Sequence, residues 1–150
     1  MRRILVDADA CPVKPEIYKV AYRTNVPVVL VSNSYLRLPA HPLLSQLVVS
    51  DGFDAADDKL VEMCTPRDVV ITSDILLAER VLAKEAAALD PKGSEFTSAS
   101  IGSAVATRAI MADVRAGLEG MTAGGSKPFS DRDRSAFLNA LDRVLVRLAR

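Results

Sequence analysis

Four short runs of almost entirely apolar residues constrain the fold of this 150-residue chain more than any other feature. Strands that carry so few polar residues are typical of parallel sheets buried on both faces. Between the runs, apolar residues recur at helical spacing, so strands alternate with helices. We therefore predict an α/β fold, with a mostly parallel sheet of four to five strands and a helical C-terminal third. The runs lie at residues 4–6, 28–31, 46–49 and 69–72.

Helix-start residues set the bounds of several predicted elements. Proline in the first turn predicts a helix beginning at Lys14. Ser73 or Asp74 is the expected cap of a helix over 75–87, and Ser130 begins an acidic variant of the capping box that starts the last helix. The other predicted elements are a short fifth strand at 88–91, a helix beginning at Ser98 and a glycine-rich loop at 117–128.

Length and composition predict one domain over residues 1–150, with 49% apolar and 25% charged residues. Basic and acidic residues number 19 each, which excludes the strongly basic surface of a nucleic-acid-coating protein. Two cysteines are too few for a disulfide scaffold or a Cys-x-x-Cys zinc site, and they favour a reducing compartment. No run approaches the roughly 18 apolar residues of a membrane helix. We expect a cytoplasmic protein without a membrane partner.

Two aspartates follow the first apolar run directly. Asp7 ends the run and Asp9 lies two residues further on, so on a regular strand both side chains point to the same face. Carboxylates held together repel each other unless a cation or a shared proton compensates. A divalent metal is the simplest explanation for the pair.

Two further aspartates are expected at the same edge of the sheet. Asp74 follows the run at 69–72, and the carboxyl ends of parallel strands meet at one edge. Asp57, ahead of a predicted helix, can reach the same place. Together with Asp7 and Asp9 they make a set of four carboxylates. Such a set suits Mg²⁺ or Mn²⁺ and metal-assisted phosphodiester hydrolysis. Taken singly, Asp57 and Asp74 are better explained as structural residues at helix starts.

Other polar residues are candidates for binding a phosphate substrate. Asn33 and Ser34 follow the second apolar run, at the same predicted edge. The only histidine, His41, lies in a loop, which argues against a histidine-based triad. Cys11 lies close to two acids and is expected to be a packing residue with a raised pKa. The basic candidates for contacts with a phosphate backbone are Arg37, Arg108, Lys127, Arg132 and Arg134.

Several motifs, in order from residue 4 to about residue 140, resemble the YaiI/YqxD family of bacterial proteins. They are Val-Asp-Ala-Asp-Ala-Cys-Pro at 6–12, Asn33 with Leu-Arg at 36–37, Gly-Phe-Asp-x-Ala-Asp at 52–57, Asp-Val-Val-Ile-Thr-x-Asp-Ile-x-Leu-Ala at 68–78, Gly-Gly at 124–125 and Asp-Arg-x-Arg-x-x-Phe at 131–137.

The resemblance implies a three-layer α/β/α domain of the PIN-like type. Many PIN domains are Mg²⁺- or Mn²⁺-dependent ribonucleases, which makes RNA, rather than DNA, the expected substrate. PIN-like proteins often pair, so the resemblance also allows a homodimer. The acids that match the family pattern are Asp7, Asp57 and Asp74, with Asp9 as an additional acid and Asp54 or Asp58 behind it.

Two alternatives stay open at this point. The chain can be a non-enzymatic PIN-like module that binds RNA or a protein. An apolar strand followed by Asp-x-Asp is also the nucleophile motif of haloacid-dehalogenase-like phosphatases, in which Asp7 attacks phosphorus and Asp9 is the general acid. Those enzymes carry a later acidic pair, whereas the pair at 57–58 precedes the run at 69–72.

Overall fold

A six-stranded sheet forms the centre of the computed structural model, which describes residues 1–50, 52, 54–117 and 129–150. The spatial order is β3-β2-β1-β4-β5-β6, and every neighbouring pair is parallel except β5 with β6. In chain order the strands are β1 (Arg3–Asp7), β2 (Val28–Ser32), β3 (Leu44–Val48), β4 (Asp68–Ile71), β5 (Ala87–Leu89) and β6 (Glu95–Phe96).

The mostly parallel sheet is confirmed, but the predicted number of four to five strands is wrong. β6 has only two residues and pairs antiparallel with β5. Two residues are too few to show the alternation of polar and apolar positions by which a strand is recognised in a sequence.

Helices follow most of the strands and continue to the C-terminus. Among the described residues, no helix is long and apolar enough to cross a membrane. The helices are α1 (Lys14–Thr24), α2 (Ala55–Met63), α3 (Ile75–Ala83), α4 (Ser98–Gly117) and α5 (Asp131–Leu148), and a 3₁₀ turn spans Ala8–Ala10.

Each face of the sheet carries its own apolar core, which gives the three-layer α/β/α arrangement. Ile4 and Val6 of β1 point to the face that α1 and α5 cover, where Phe137 is fully buried. Leu5 points to the opposite face and packs with α2, α3 and α4, including Leu77. The alternation along β1 explains why the strand is apolar at every central position.

Most predicted helix ends agree with the structure. Helix α1 begins at Lys14, and Ser130 forms a capping box with Asp133 at the start of α5. Asp74 is the cap of α3, where its carboxylate accepts hydrogen bonds from two backbone N–H groups. The predicted end at residue 87 is wrong because α3 ends at Ala83, and Glu85 then adopts a left-handed conformation with φ of 66°.

Candidate functional site

The candidate site lies where the order of the strands reverses. From β1 the chain continues to β2 on one side, whereas β4 pairs with β1 on the other side. Ligands of open α/β sheets bind at this position, outside the carboxyl ends of the strands. A cavity of about 190 Å³ opens there, lined by Asp7, Asp9, Asn33, Asp54, Ala55, Ala56 and Asp57.

Three of the four predicted acids therefore line one cavity, although they come from separate parts of the chain. Asp7 ends β1, Asp9 lies in the 3₁₀ turn, and Asp57 lies in the first turn of α2. Asn33, predicted from its place after β2, joins them. Their roles in chemistry stay predictions.

The prediction that strand alternation places Asp7 and Asp9 on one face is wrong. The strand ends at Asp7, and the 3₁₀ turn that follows breaks the two-residue alternation. Asp9 is instead held from β2, because the backbone N–H of Asn33 donates to both carboxylate oxygens at 3.2 and 3.1 Å. The contact joins the ends of two neighbouring strands.

Thr72 is a site residue that the sequence analysis missed. Its hydroxyl donates to Asp7 Oδ2 at 2.8 Å and accepts from the backbone N–H of Asp74 at 3.0 Å. The residue is only 2% exposed, so both hydrogen bonds are shielded from water. A hydroxyl residue at the end of an otherwise apolar run was the signal available in the sequence.

Asp74 lies beside the cavity and does not line it. Its Oδ1 accepts from the backbone N–H groups of Leu76 and Leu77 at 2.9 and 3.2 Å, as a helix cap does. The charge of Asp74 nevertheless acts on the site, since it raises the pKa of both Asp7 and Asp57.

The carboxyl groups of Asp7 and Asp57 both have raised pKa values. Burial is the main cause for Asp7, opposed by the hydrogen bond from Thr72 and reinforced by Asp74 and Asp9. Burial and the charges of Asp7, Asp74 and Asp54 raise the pKa of Asp57 to about 6, against a smaller opposing effect of Arg80. Negative charge is therefore concentrated at this edge, and a proton or a cation relieves it.

The two acids nearest to Asp57 in the sequence, Asp54 and Asp58, differ in their surroundings. Asp54, at the start of α2, lines the cavity and has a left-handed backbone with φ of 61°. Asp58 forms an ion pair with Arg80 at 2.9 Å and does not line the cavity. Of the two, Asp54 is the one that accompanies the predicted acids.

The donor atoms around the cavity fit a hard divalent cation in kind. Carboxylate and amide oxygens are the ligands that Mg²⁺ and Mn²⁺ take in proteins. Among the described residues, however, no three or more His, Cys, Asp or Glu side chains are arranged to hold a metal ion. An ion bound here would contact one or two carboxylates, with water or substrate oxygens completing its shell, as is usual for Mg²⁺.

The predicted basic residues are not gathered at the cavity in the described part of the chain. Arg37 and Arg132 are exposed, as is Ser34, whose carbonyl accepts from Ser32 Oγ at 2.6 Å. The Arg108 side chain and Lys127 lie outside the described residues, as do residues 118–128 of the glycine-rich loop predicted at 117–128, whose first residue instead ends α4.

Arg134 connects α5 to the start of α1. Its guanidinium forms an ion pair with Glu16 at 3.0 Å and donates to the carbonyl of Pro12 at 3.1 Å. The ring of Phe129 lies 4.8 Å below it. These contacts give Arg134 a structural role, and binding of phosphate by it stays a prediction.

Comparisons with known proteins extend over nearly the whole chain. The model of the uncharacterised YaiI/YqxD family matches residues 5–147. A UPF0178 protein of Sphingopyxis alaskensis is 60% identical over 147 residues, which cover 98% of this chain and 95% of that protein. UPF0178 proteins of Jannaschia sp. and Rhodopseudomonas palustris are 58% and 49% identical, and the matches cover 98% and 100% of this chain and 94% of each relative. No solved structure matches the chain significantly.

Proposed function

The chain belongs to the YaiI/YqxD family, and we propose that it is a divalent-metal-dependent phosphodiesterase of the PIN-like ribonuclease type, with RNA rather than DNA as substrate. One observation carries the proposal: Asp7, Asp9 and Asp57 line a single cavity at the reversal point of the sheet. Carboxylates gathered there, with raised pKa values for Asp7 and Asp57, favour a cation as their partner.

The chain's own groups orient the acids before any ligand arrives. The hydroxyl of Thr72 fixes one oxygen of Asp7, and the backbone N–H of Asn33 fixes the carboxylate of Asp9. Mg²⁺ or Mn²⁺, when bound, stabilises charge on the phosphate and lowers the pKa of a water molecule. Asp57 lines the same cavity, and its carboxylate, which is ionised at neutral pH, would be placed to accept a proton there.

The position of Asn33 suits the recognition of phosphate. The residue lines the cavity, and its side-chain amide is a neutral N–H donor beside an acidic environment. A phosphate oxygen that approaches the carboxylates can accept from this amide without adding charge to the site. The arrangement supports Asn33 as a substrate contact.

Calorimetric titration of metal-stripped protein with Mn²⁺ tests the proposal. We expect the wild type to bind Mn²⁺ and Asp7→Asn to lose binding, because Asp7 is the most enclosed of the lining carboxylates. Asp58→Asn is the matched control, since Asp58 pairs with Arg80 away from the cavity lining. Equal binding by wild type and Asp7→Asn would contradict the proposed site.

A non-enzymatic RNA- or protein-binding module is the second candidate. It is favoured by the absence, among the described residues, of a ready arrangement of three metal-ligating side chains. Cleavage of a panel of labelled RNA oligonucleotides with Mn²⁺ distinguishes the two candidates. RNA that is bound but left intact by wild type, and bound equally by Asp7→Asn, would support the binding module.

A further inference from the structure

The outer side of β3 presents free backbone groups. Only β2 pairs with β3 among the described residues. The carbonyl of Leu43 accepts from Val28 at 2.8 Å, and the N–H of Val49 donates to Ser32 at 2.9 Å. Since backbone groups alternate in direction along a strand, the odd-numbered residues face β2 and the even-numbered residues face outward.

Two residues of β3 direct both of their backbone groups outward without a partner in the described chain. They are Gln46 and Val48, whereas the N–H of Leu44 is already bonded to the carbonyl of His41 at 3.1 Å. Leu47 lies between them and is 37% exposed, and Val48 is 50% exposed. This edge therefore combines free hydrogen-bonding groups with exposed apolar side chains.

The opposite edge of the sheet is protected from pairing. β6 has only two residues, and Glu95 of β6 forms an ion pair with Arg147 of α5. Short length and charge are the features by which proteins prevent an edge strand from pairing with another chain. β3 has five residues, Leu-Ser-Gln-Leu-Val, without a charge, proline or glycine. Only the β3 edge lacks these protective features.

We propose that two copies of this chain pair antiparallel through β3, with the two-fold axis at Leu47, so that one sheet runs through both copies. Gln46 of each copy then faces Val48 of the other, and each pair exchanges two N–H···O=C hydrogen bonds. This register satisfies every free outward group of the two residues. In a register centred on Gln46, Val48 would instead face Leu44 of the other copy. The carbonyl of Val48 would then have no donor, because the N–H of Leu44 is already bonded to His41.

A second copy suits this edge because the edge is complementary to itself. The strand carries no charge, so pairing it with itself places no like charges opposite each other. The chain has 19 basic and 19 acidic residues, so no net charge holds two copies apart. Leu47 faces Leu47 across the axis in a pair without mutual hydrogen bonds, the closer kind of cross-strand pair.

Sedimentation velocity of the full chain from about 1 to about 100 μM, a range around micromolar affinity, tests the pairing. We expect the wild type to form a dimer. For Leu47→Lys we expect a dissociation constant about tenfold higher or more, because two lysines then face each other across the axis and repel. Ser45→Lys is the control on the same strand and face. Its lysine faces position 49 of the other copy and therefore does not face a second lysine. A monomeric wild type, or a Leu47→Lys dimer as strong as wild type, would overturn the proposal.

Cysteine cross-linking tests the register and does not require Leu47→Lys to fold. Opposite Cβ atoms in such a pair lie about 4.5–5.5 Å apart, near the separation of a disulfide. With diamide as the oxidant, we expect Leu47→Cys to form a covalent dimer. Ser45→Cys should not, because the two copies of position 45 are about 13 Å apart along the strand. Wild type, with Cys11 and Cys64, gives the background. Equal cross-linking of the two variants would overturn the register.

Discussion

At the scale of single residues, one buried hydroxyl links Asp7 of the candidate site to the start of α3. Thr72 donates to Asp7 and accepts from the backbone N–H of Asp74, so it sets the position of the acid at the cavity and of the residue that caps the helix. Since the residue is buried, neither hydrogen bond is readily replaced by water. Thr72 is a positioning residue in this interpretation.

Replacing Thr72 with valine keeps the shape of the side chain and removes both hydrogen bonds. We expect Thr72→Val to lower the free energy of unfolding by about 1–3 kcal/mol, because Asp7 loses a donor and Asp74 loses an acceptor. The pKa of Asp7 should also rise further, since the lost hydrogen bond lowers it in the wild type.

Urea unfolding measures the stability of Thr72→Val, and carboxyl-carbon NMR measures the pKa of Asp7. Thr72→Ser, which retains the hydroxyl, is the control and should stay close to wild type in both measurements. A Thr72→Val protein with an unchanged Asp7 pKa would show that the hydroxyl does not act on the carboxylate.

At the scale of elements, the turn between β5 and β6 is fitted closely against α5. Gly93 in that turn has φ of +95°, a conformation that other residues rarely adopt. A Cβ atom there would lie 2.7 Å from the carbonyl carbon of Ala136 and 2.9 Å from the nitrogen of Phe137. Because these are backbone atoms of a helix, the turn and α5 cannot both keep their positions.

We therefore expect Gly93→Ala to destabilise the protein by about 2–4 kcal/mol, from backbone strain and displacement of α5. Gly102→Ala is the matched control, since nothing lies within 4 Å of a Cβ atom added in that exposed turn of α4. It should stabilise by about 0.5–1 kcal/mol through helix propensity. Thermal unfolding followed by circular dichroism compares the two, and equal effects would contradict the close turn–helix contact.

At the scale of the whole molecule, the sequence predicted what depends on local pattern. Apolar runs identified the central strands because burial on both faces leaves no polar position in them. The proximity of Asp74 to Asp7, close enough for its charge to raise the pKa of Asp7, followed from parallel strands sharing one edge. Contacts that form only after the chain has folded were missed, such as the hydrogen bond between Thr72 and Asp7 and that between Asn33 and Asp9. β6 was missed for the same reason, because it is defined by its pairing with β5.

The carboxylate cluster also has a consequence for the stability of the whole molecule. The pKa of Asp57 is about 6 in the folded protein, above its ordinary value of 3.8. Between these values the folded state retains a proton that the unfolded state has lost. Stability therefore falls as pH rises from about 4 to about 6, and the loss is complete above that range. The raised pKa of Asp7 acts in the same direction.

Asp57→Asn removes the titrating group and should make stability less dependent on pH across this window, with a gain over wild type at pH 7. Urea unfolding at intervals between pH 4 and 7 measures the effect, and Asp58→Asn, altered at the next residue of the same helix, should retain the wild-type slope. Saturating Mn²⁺ should raise the wild-type stability at pH 7, since an ion that binds only the folded state stabilises it and relieves the same repulsion. Parallel pH profiles for wild type and Asp57→Asn would show that these carboxylates do not repel one another enough to affect folding.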